Sequence, residues 1–278
     1  MAASSNSREL EYAKKRFRRR LGYELNIENP RTFNEKIQYK KIFDRRPILT
    51  LIADKYRVRQ YVEEVVGAKY LVPLYGVFDD PAEIDFTLLP NAFVIKANHG
   101  WGWNILVEDK SKLDEKKTRF KLKKWLNQNY YNSGFEWAYK NIKPKVIIEQ
   151  YLFNNGKPAN DYKLHCFDGE PKAIHVVIDR ARDFYVNYYD TSWNLLPVKR
   201  RSRENTPYHY SKPRHLAKMI EIASALSTGL DYVRVDLYYV NDRIYFGELT
   251  NYPGNGFDPF AQYESDVWFG EHWKLGNY

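Results

Sequence analysis

Apolar and polar positions alternate most clearly towards the C-terminus, where residues 233–240 and 243–250 are rich in Val, Ile, Tyr and Phe and are parted by Asn241-Asp242. Alternation on either side of a turn pair predicts a β-hairpin. Shorter runs of the same kind predict strands over 71–78, 93–97, 105–107, 145–152, 161–167, 172–179 and 184–189, with Asp168-Gly169-Glu170-Pro171 as one of the turns. Helical spacing shows elsewhere. Leu10, Ala13 and Phe17 form one stripe of a helix over 8–20, and Thr32-x-x-Glu35 is a capping-box spacing ahead of an amphipathic helix. Residues 52–67 read as a helix with Asp54 suited to its N-cap and Gly67 to its C-terminal end, and 116–129 and 215–230 read as two more. The stretches 154–160 and 207–213 are polar loops, and the chain beyond Gly254 is aromatic and loop-rich. The sequence contains no internal repeat, low-complexity linker or heptad pattern.

Composition narrows the class. With 278 residues, 44% hydrophobic and 17% aromatic, the chain can bury a sizeable core and is not a disordered polymer. A formal charge of +9 favours anionic ligands such as nucleotides, sugar acids, nucleic acid or acidic membrane surfaces, without choosing among them. The basic run on the first helix is either a solvated face or a contact for phospholipid or an anionic polymer. Cys166 is the single cysteine, which excludes an internal disulfide. Its place between His165 and Phe167 suits core packing better than nucleophilic work. The first residues lack the apolar stretch of a signal peptide, and no run reaches the roughly 18 apolar residues of a membrane span. A cytoplasmic protein is expected, with peripheral contact at the inner face of the membrane open to it through the basic helix.

Three features carry candidate chemistry. If 233–240 and 243–250 pair, Asp236 and Glu248 come close together, each inside an otherwise apolar run where an ionised carboxylate needs a cation or a metal. Arg234 falls on the same face as Asp236 by period two. That set, with Thr250-Asn251 following, suits either a divalent-metal site holding a polyphosphate or a salt-bridged hairpin. Lys96 lies at the root of a second hairpin whose tip, Asn98-His99-Gly100-Trp101-Gly102-Trp103-Asn104, carries glycines. Backbone N–H groups of such a loop close over phosphates, and a lysine neutralises them. Glu149 sits near the end of an apolar strand. A P-loop, a dinucleotide fingerprint and the protein-kinase motifs are all absent from the sequence.

The chain resembles the TupA-like ATP-grasp family of bacterial polysaccharide biosynthesis. The resemblance rests on Ala53-Asp-Lys-Tyr, Val94-Ile-Lys-Ala-Asn-His-Gly, Ile148-Glu-Gln-Tyr-Leu, Asn160-Asp-Tyr-Lys-Leu-His-Cys-Phe-Asp-Gly, Arg234-Val-Asp and Phe246-Gly-Glu-Leu-Thr, in that order. It implies an α+β protein with the ATP-grasp fold, two α+β lobes gripping ATP between them and a helical N-terminal segment. The divisions expected are 1–78 for that segment, 79–148 for the central lobe with the phosphate loop, and 149–278 for the C-terminal lobe with the metal site. It further implies Lys55 and Lys96 as phosphate-binding lysines, His99, Gly100, Trp101 and Gly102 in the closing loop, and Glu149, Gln150, Tyr151 and Leu152 as the hinge that holds adenine. Asp161 would lie near the ribose and Lys163 near the nucleotide. Asp236 and Glu248 would hold Mg²⁺, with Arg234 stabilising charge on the transferring group. ATP-grasp enzymes usually carry Asn two residues after the metal-binding Glu; here that residue is Thr250, so either Thr250 or Asn251 is expected to replace it.

The reaction implied is carboxylate–amine ligation through an acylphosphate, joining an amino acid or other amine to a sugar acid of a capsule, O-antigen or teichuronopeptide-like polymer. Its substrates would be a small-molecule or polysaccharide carboxylate and an amine, with no nucleic acid. Arg180 and Arg182 are candidates for gripping the acid, and His99 and His175 for moving a proton. Two other readings stay open: an ATP-dependent sugar kinase on the same fold, and a non-catalytic polyanion-binding protein.

Overall fold

The computed structural model describes residues 3–154, 157–178 and 185–276. Four helices open the chain: α1 (Ala3–Leu21), α2 (Phe33–Phe43), α3 (Pro47–Ala53) and α4 (Val58–Val66). The stripe expected on α1 is real. Ala13, Phe17 and Leu21 pack with Leu25, Ile27, Ile42 and Phe257, which fastens the N-terminal segment to the C-terminal part of the chain. At α2 the capping box forms in full: Thr32 Oγ1 accepts from Glu35 N–H (3.2 Å), and Glu35 Oε2 accepts from Thr32 N–H (2.9 Å). Thr32→Ala is therefore expected to destabilise the protein by about 1 kcal/mol, seen as a lower urea midpoint with an unchanged slope.

The helix expected over 52–67 is instead broken at 54–57. Asp54 Oδ1 accepts from Tyr56 N–H (2.9 Å), Arg57 N–H (3.2 Å) and the Asn98 amide (2.9 Å), so its side chain caps a turn and ties it to the root of the glycine loop. Lys55 consequently lies in a turn between α3 and α4, not on the exposed helix that the apolar spacing suggests.

The central part is an antiparallel sheet of β1 (Leu74–Phe78), β2 (Phe93–Ala97), β3 (Asn104–Val107) and β4 (Val146–Gln150), in the order β1-β4-β2-β3. Between β3 and β4 run α5 (Glu115–Leu126) and the short α6 (Tyr131–Gly134). Leu122 and Trp125 of α5 cover Phe93, Ile95, Val146 and Ile148 on one face. Lys96 and Glu149 therefore belong to the other face. The sheet begins at Leu74 and ends at Gln150, so it crosses both lobe boundaries expected from sequence, at 78 and at 148. Residues 154–160, expected as a plain loop, contribute the two-residue strands β5 (Phe153–Asn154) and β6 (Lys157–Pro158).

A second antiparallel sheet follows, formed by β7 (Asn160–Phe167), β8 (Glu170–Ile178), β9 (Tyr185–Tyr189), β10 (Tyr232–Val240) and β11 (Arg243–Thr250), with α7 (Leu216–Ser227) between β9 and β10. Its order is β11-β10-β7-β8-β9. One face is apolar: Leu164, Cys166, Ile174, Val176, Val233, Val235 and Leu237 pack under α7 and α4. Burial pushes the Cys166 thiol up to about 12, in keeping with its expected role as core filler. The opposite face is divided. At one end Phe167, Tyr188 and Tyr232 meet Phe33 of α2 and Phe269 and Trp273 in an aromatic core. At the other end the same face carries charge.

Phe269 belongs to α8 (Tyr263–Glu271), a helix in the segment expected to be loop. Its buried face is made of Ser265, Asp266, Phe269 and Gly270, of which only Phe269 is a large apolar residue, so no 3.6-residue apolar periodicity shows in the sequence. Asp266 of α8 accepts from Asn34 N–H (2.9 Å), from the Asn34 amide (2.7 Å) and from Tyr23 Oη (2.9 Å), which locks α8 to the start of α2.

Candidate active site

The site is built on β10 and β11. Asn241 (φ 49°) and Asp242 (φ 62°) take the left-handed turn that a two-residue hairpin needs, and Asp236 then faces Glu248 directly. Simple alternation along β11 would put Ile244, Phe246 and Glu248 on one face. It does not, because the register slips by one residue after Asp236, where Leu237 pairs with Phe246 and Gly247 is left over. The bulge sends Ile244 and Phe246 into the core and turns Glu248 and Thr250 to the charged face. A side chain would be crowded there: a Cβ on Gly247 would stand 3.0 Å from the Asp236 carbonyl oxygen and 3.1 Å from the Tyr238 ring.

Arg234 grips Asp236 with two bonds, Nε to Oδ1 (2.6 Å) and Nη2 to Oδ2 (2.7 Å), and its Nη2 also reaches Thr250 Oγ1 (3.1 Å) and Glu248 Oε1 (3.4 Å). From β7, Lys163 donates to Asp236 Oδ2 (2.5 Å) and lies 3.6 Å from Asp161. Burial pushes the Asp236 carboxyl up, but Arg234 and Lys163 outweigh it and hold the group below its ordinary range. Glu248 differs. Its side chain is 28% exposed against 4% for Asp236, and among the described residues it receives only the long Arg234 contact and the Thr250 hydroxyl (3.2 Å).

The donor set is all oxygen, which is the chemistry a hard divalent cation takes, and Glu248 keeps acceptor capacity for one. Asp236 and Glu248, with the Thr250 hydroxyl beside them, therefore fit Mg²⁺, although Asp236 would have to share its oxygens with Arg234 and Lys163. Among the described residues no group of three or more His, Cys, Asp or Glu side chains forms a metal site. Asn251 is turned elsewhere: its amide donates to Leu49 O (2.9 Å). Of the two substitutes considered for the usual Asn, Thr250 is the one in contact with Glu248.

From the other side come Lys55 and the central sheet. Lys55 Nζ donates to Gly100 O (2.6 Å), at the start of the glycine loop. Burial pushes its ammonium below the ordinary value; Glu248 counteracts this and Lys96 reinforces it, so Lys55 feels charge from both sheets. Lys96 donates to Glu149 Oε2 (2.6 Å), and Glu149 Oε1 receives Arg59 Nη1 (2.9 Å). Arg59 went unnoticed in the sequence. Nothing local marks it, because its partner Glu149 lies 90 residues further along the chain.

The loop itself is braced from within. Gly102 takes φ 74°, and a Cβ on Gly100 would stand 2.7 Å from the Trp103 ring. Trp103 lies parallel to Trp125 of α5, and Trp101 projects from the tip with 69% of its surface exposed. His99 does not face the cleft. It is buried, with Nδ1 against Asn98 Oδ1 (3.1 Å) and Nε2 against the carbonyls of Trp125 (3.1 Å) and Gln128 (3.2 Å), so both ring nitrogens are occupied in anchoring the loop. His175 is half-buried, against Tyr188, and desolvation drives its pKa well down. In the hinge, Gln150 N–H donates to Pro73 O (2.9 Å), and Tyr151 is buried with its hydroxyl 3.3 Å from Glu108. Leu152 is half-buried and Asp161 buried. Arg180 and Arg182 lie outside the described residues.

Helices and two main antiparallel sheets, one carrying an acid pair and the other a lysine-bearing glycine hairpin, make an α+β fold of the ATP-grasp kind. A sequence profile described as TupA-like ATPgrasp matches residues 35–274, and the chain belongs to that family. Nothing among curated proteins matches it. Similar solved structures include D-alanine–D-alanine ligase from Helicobacter pylori (16% identity, TM-score 0.45, covering 81% of this chain and 62% of that one). The Bacillus anthracis D-alanine–D-alanine ligase complexed with ATP is alike at 16% identity and TM-score 0.43, with 73% of this chain and 55% of that one covered. So is purK, N5-carboxyaminoimidazole ribonucleotide synthetase, in its ADP complex (12% identity, TM-score 0.42, 74% and 46% covered). This chain spans less than two thirds of the length of each, and likeness at this distance carries no residue role across. No helix among the described residues is long and apolar enough to cross a membrane.

Proposed function

We propose that this protein is an ATP- and Mg²⁺-dependent carboxylate–amine ligase that joins an amine, such as an amino acid, to a sugar acid of a bacterial surface polysaccharide or its precursor. The observation that carries the reading is the pairing of Asp236 with Glu248 on one sheet, while Lys55, near enough to Glu248 and Lys96 for their charges to act on it, is fastened to the glycine hairpin of the other. A polyphosphate lying there would find cations on one side and oxygen ligands for its metal on the other. Mg²⁺, held by Asp236 and Glu248, would neutralise phosphate charge as it builds up. The chain's own part is orientation and charge. Lys55 and Lys96 hold phosphate oxygens, and the Gly100–Gly102 backbone closes over them. Arg234, already fixed by two bonds to Asp236, stabilises negative charge at the reacting centre.

The acid's carboxylate oxygen attacks the γ-phosphorus and ADP leaves, giving an acylphosphate. The amine then attacks the acyl carbon, and phosphate departs. Trapping the intermediate tests this directly. Purified protein with ATP, Mg²⁺, a panel of uronic acids and hydroxylamine is expected to yield a hydroxamate and one ADP per product, identified by mass. ADP with a phosphorylated sugar and no hydroxamate would make the protein a kinase. Absence of any ATP–Mg²⁺ thermal shift, with salt-dependent polyanion binding instead, would remove the enzyme reading altogether.

A further inference from the structure

A cluster of buried charge lies by the turn that follows β11 and has no part in the steps above. Glu136 opens the single 3₁₀ turn Trp137–Tyr139 and is 7% exposed, and among the described residues no hydrogen bond or ion pair reaches its carboxylate. Lys41 of α2 is buried too, its ammonium donating to Asn255 Oδ1 (2.5 Å) and lying 4.5 Å from the Phe257 ring. Asn255 stands in the turn just after β11 and donates to Gly134 O (3.3 Å). Arg16 of α1 also lies over Phe257, with its guanidinium 5.0 Å from the ring, and its buried Nε has no partner among the described residues. Ring contacts join this cluster to the glycine loop: Tyr139 meets Tyr130 edge-on at 4.9 Å, and Tyr130 meets Trp103 edge-on at 5.6 Å.

Burying an unpartnered carboxylate is costly, and such groups cluster where a ligand completes them. The cations nearby supply attraction without contact. We propose that Glu136 binds the protonated nitrogen of the amine substrate and accepts the proton that this nitrogen must lose before it can attack. This assignment rests on the ligase reading above. In the step, R–NH₃⁺ gives one proton to the Glu136 carboxylate and becomes R–NH₂. Its lone pair forms the C–N bond as the acyl C–O bond breaks; phosphate leaves with that electron pair and takes the second proton of the attacking nitrogen.

The electrostatics agree with the geometry. Burial pushes the Glu136 carboxyl up to about 7, Glu248 adding to the rise while Lys41, Lys55 and Arg16 oppose it. Those groups belong to α2, the α3–α4 turn, α1 and β11, and Tyr130 and Tyr139 of its own segment feel the Glu136 charge in turn. A proton acceptor balanced near neutrality is suited to this work.

Hydroxylamine separates the roles, because its nitrogen is already unprotonated at neutral pH and needs no acceptor. Glu136→Gln and Glu136→Asp are compared with the wild-type protein, each first shown to keep a cooperative urea transition. The probes are ATP, Mg²⁺ and the uronic-acid panel, with either hydroxylamine or a panel of proteinogenic amino acids as nucleophile. In Glu136→Gln, hydroxamate is expected to form within about twofold of wild type while amide kcat/KM falls roughly 10²-fold, with partial rescue in Glu136→Asp. The limb of the amide pH–rate profile near 7 should vanish in Glu136→Gln. Equal loss of both products, or loss of neither, overturns the assignment. If the wild-type protein gives no hydroxamate, the ligase reading itself has failed and takes this assignment with it, a result visible before any variant is made.

Discussion

Glu248→Gln is expected to lower Mg²⁺-dependent nucleotide turnover by about 10³-fold while leaving the fold intact. The two halves of that expectation have separate causes. Glu248 supplies the less occupied carboxylate of the pair, so removing its charge takes away the oxygen donor that a cation can claim most readily. Its structural ties are weak, namely a 3.4 Å contact with Arg234 and a 3.2 Å bond with Thr250, on a side chain that is 28% exposed. A pair of that kind contributes about 0–1 kcal/mol. The check is ADP release measured over a Mg²⁺ titration beside a urea unfolding curve. Turnover near wild type would remove Glu248 from the metal site, and a collapsed unfolding transition would show that the acid is structural.

How much of this was legible in the sequence depends on what each residue does. The β10–β11 hairpin could be read because Asn241-Asp242 is a turn signal flanked by period-two runs. The pairing of Asp236 with Glu248 followed from it, although the bulge at Gly247 that makes both face the cleft was visible only as a lone glycine inside a strand. Lys96 and the glycine loop were legible for the same local reason. Lys55 was misplaced, because a side chain capping its own backbone, as Asp54 does, leaves apolar spacing undisturbed while it breaks the helix. His99 looked like a cleft residue through its neighbours Gly100 and Gly102, yet its contacts are with carbonyls contributed by a helix end about thirty residues away, and nothing local announces that. Arg59, Glu136 and Lys41 were missed for one shared reason. Each acquires meaning from residues far off in sequence: Glu149 for Arg59, Asn255 for Lys41, and the cluster around Glu248 and Lys55 for Glu136.

Asp236→Ala should behave as the reverse of Glu248→Gln, losing stability as well as turnover. Arg234 and Lys163 are both nearly buried, with side chains 12% and 13% exposed, and Asp236 is the anion they share at hydrogen-bonding distance. Without it, Arg234 keeps the Thr250 hydroxyl (3.1 Å) and its 3.4 Å approach to the Glu248 carboxylate, and Lys163 its 3.6 Å approach to Asp161. Leaving buried cations uncompensated in this way costs about 3–5 kcal/mol. The acid limb of stability gives an independent reading. Because the folded pKa of Asp236 lies below its unfolded value, its contribution is complete above the unfolded pKa and fades as pH falls through the folded one. Urea midpoints of the wild-type protein should therefore drop more steeply below about pH 4 than those of Asp236→Asn, which has no carboxylate there to protonate. Parallel midpoints for the two proteins, or a loss under about 1 kcal/mol in Asp236→Ala, would mean that water rather than Asp236 balances these cations.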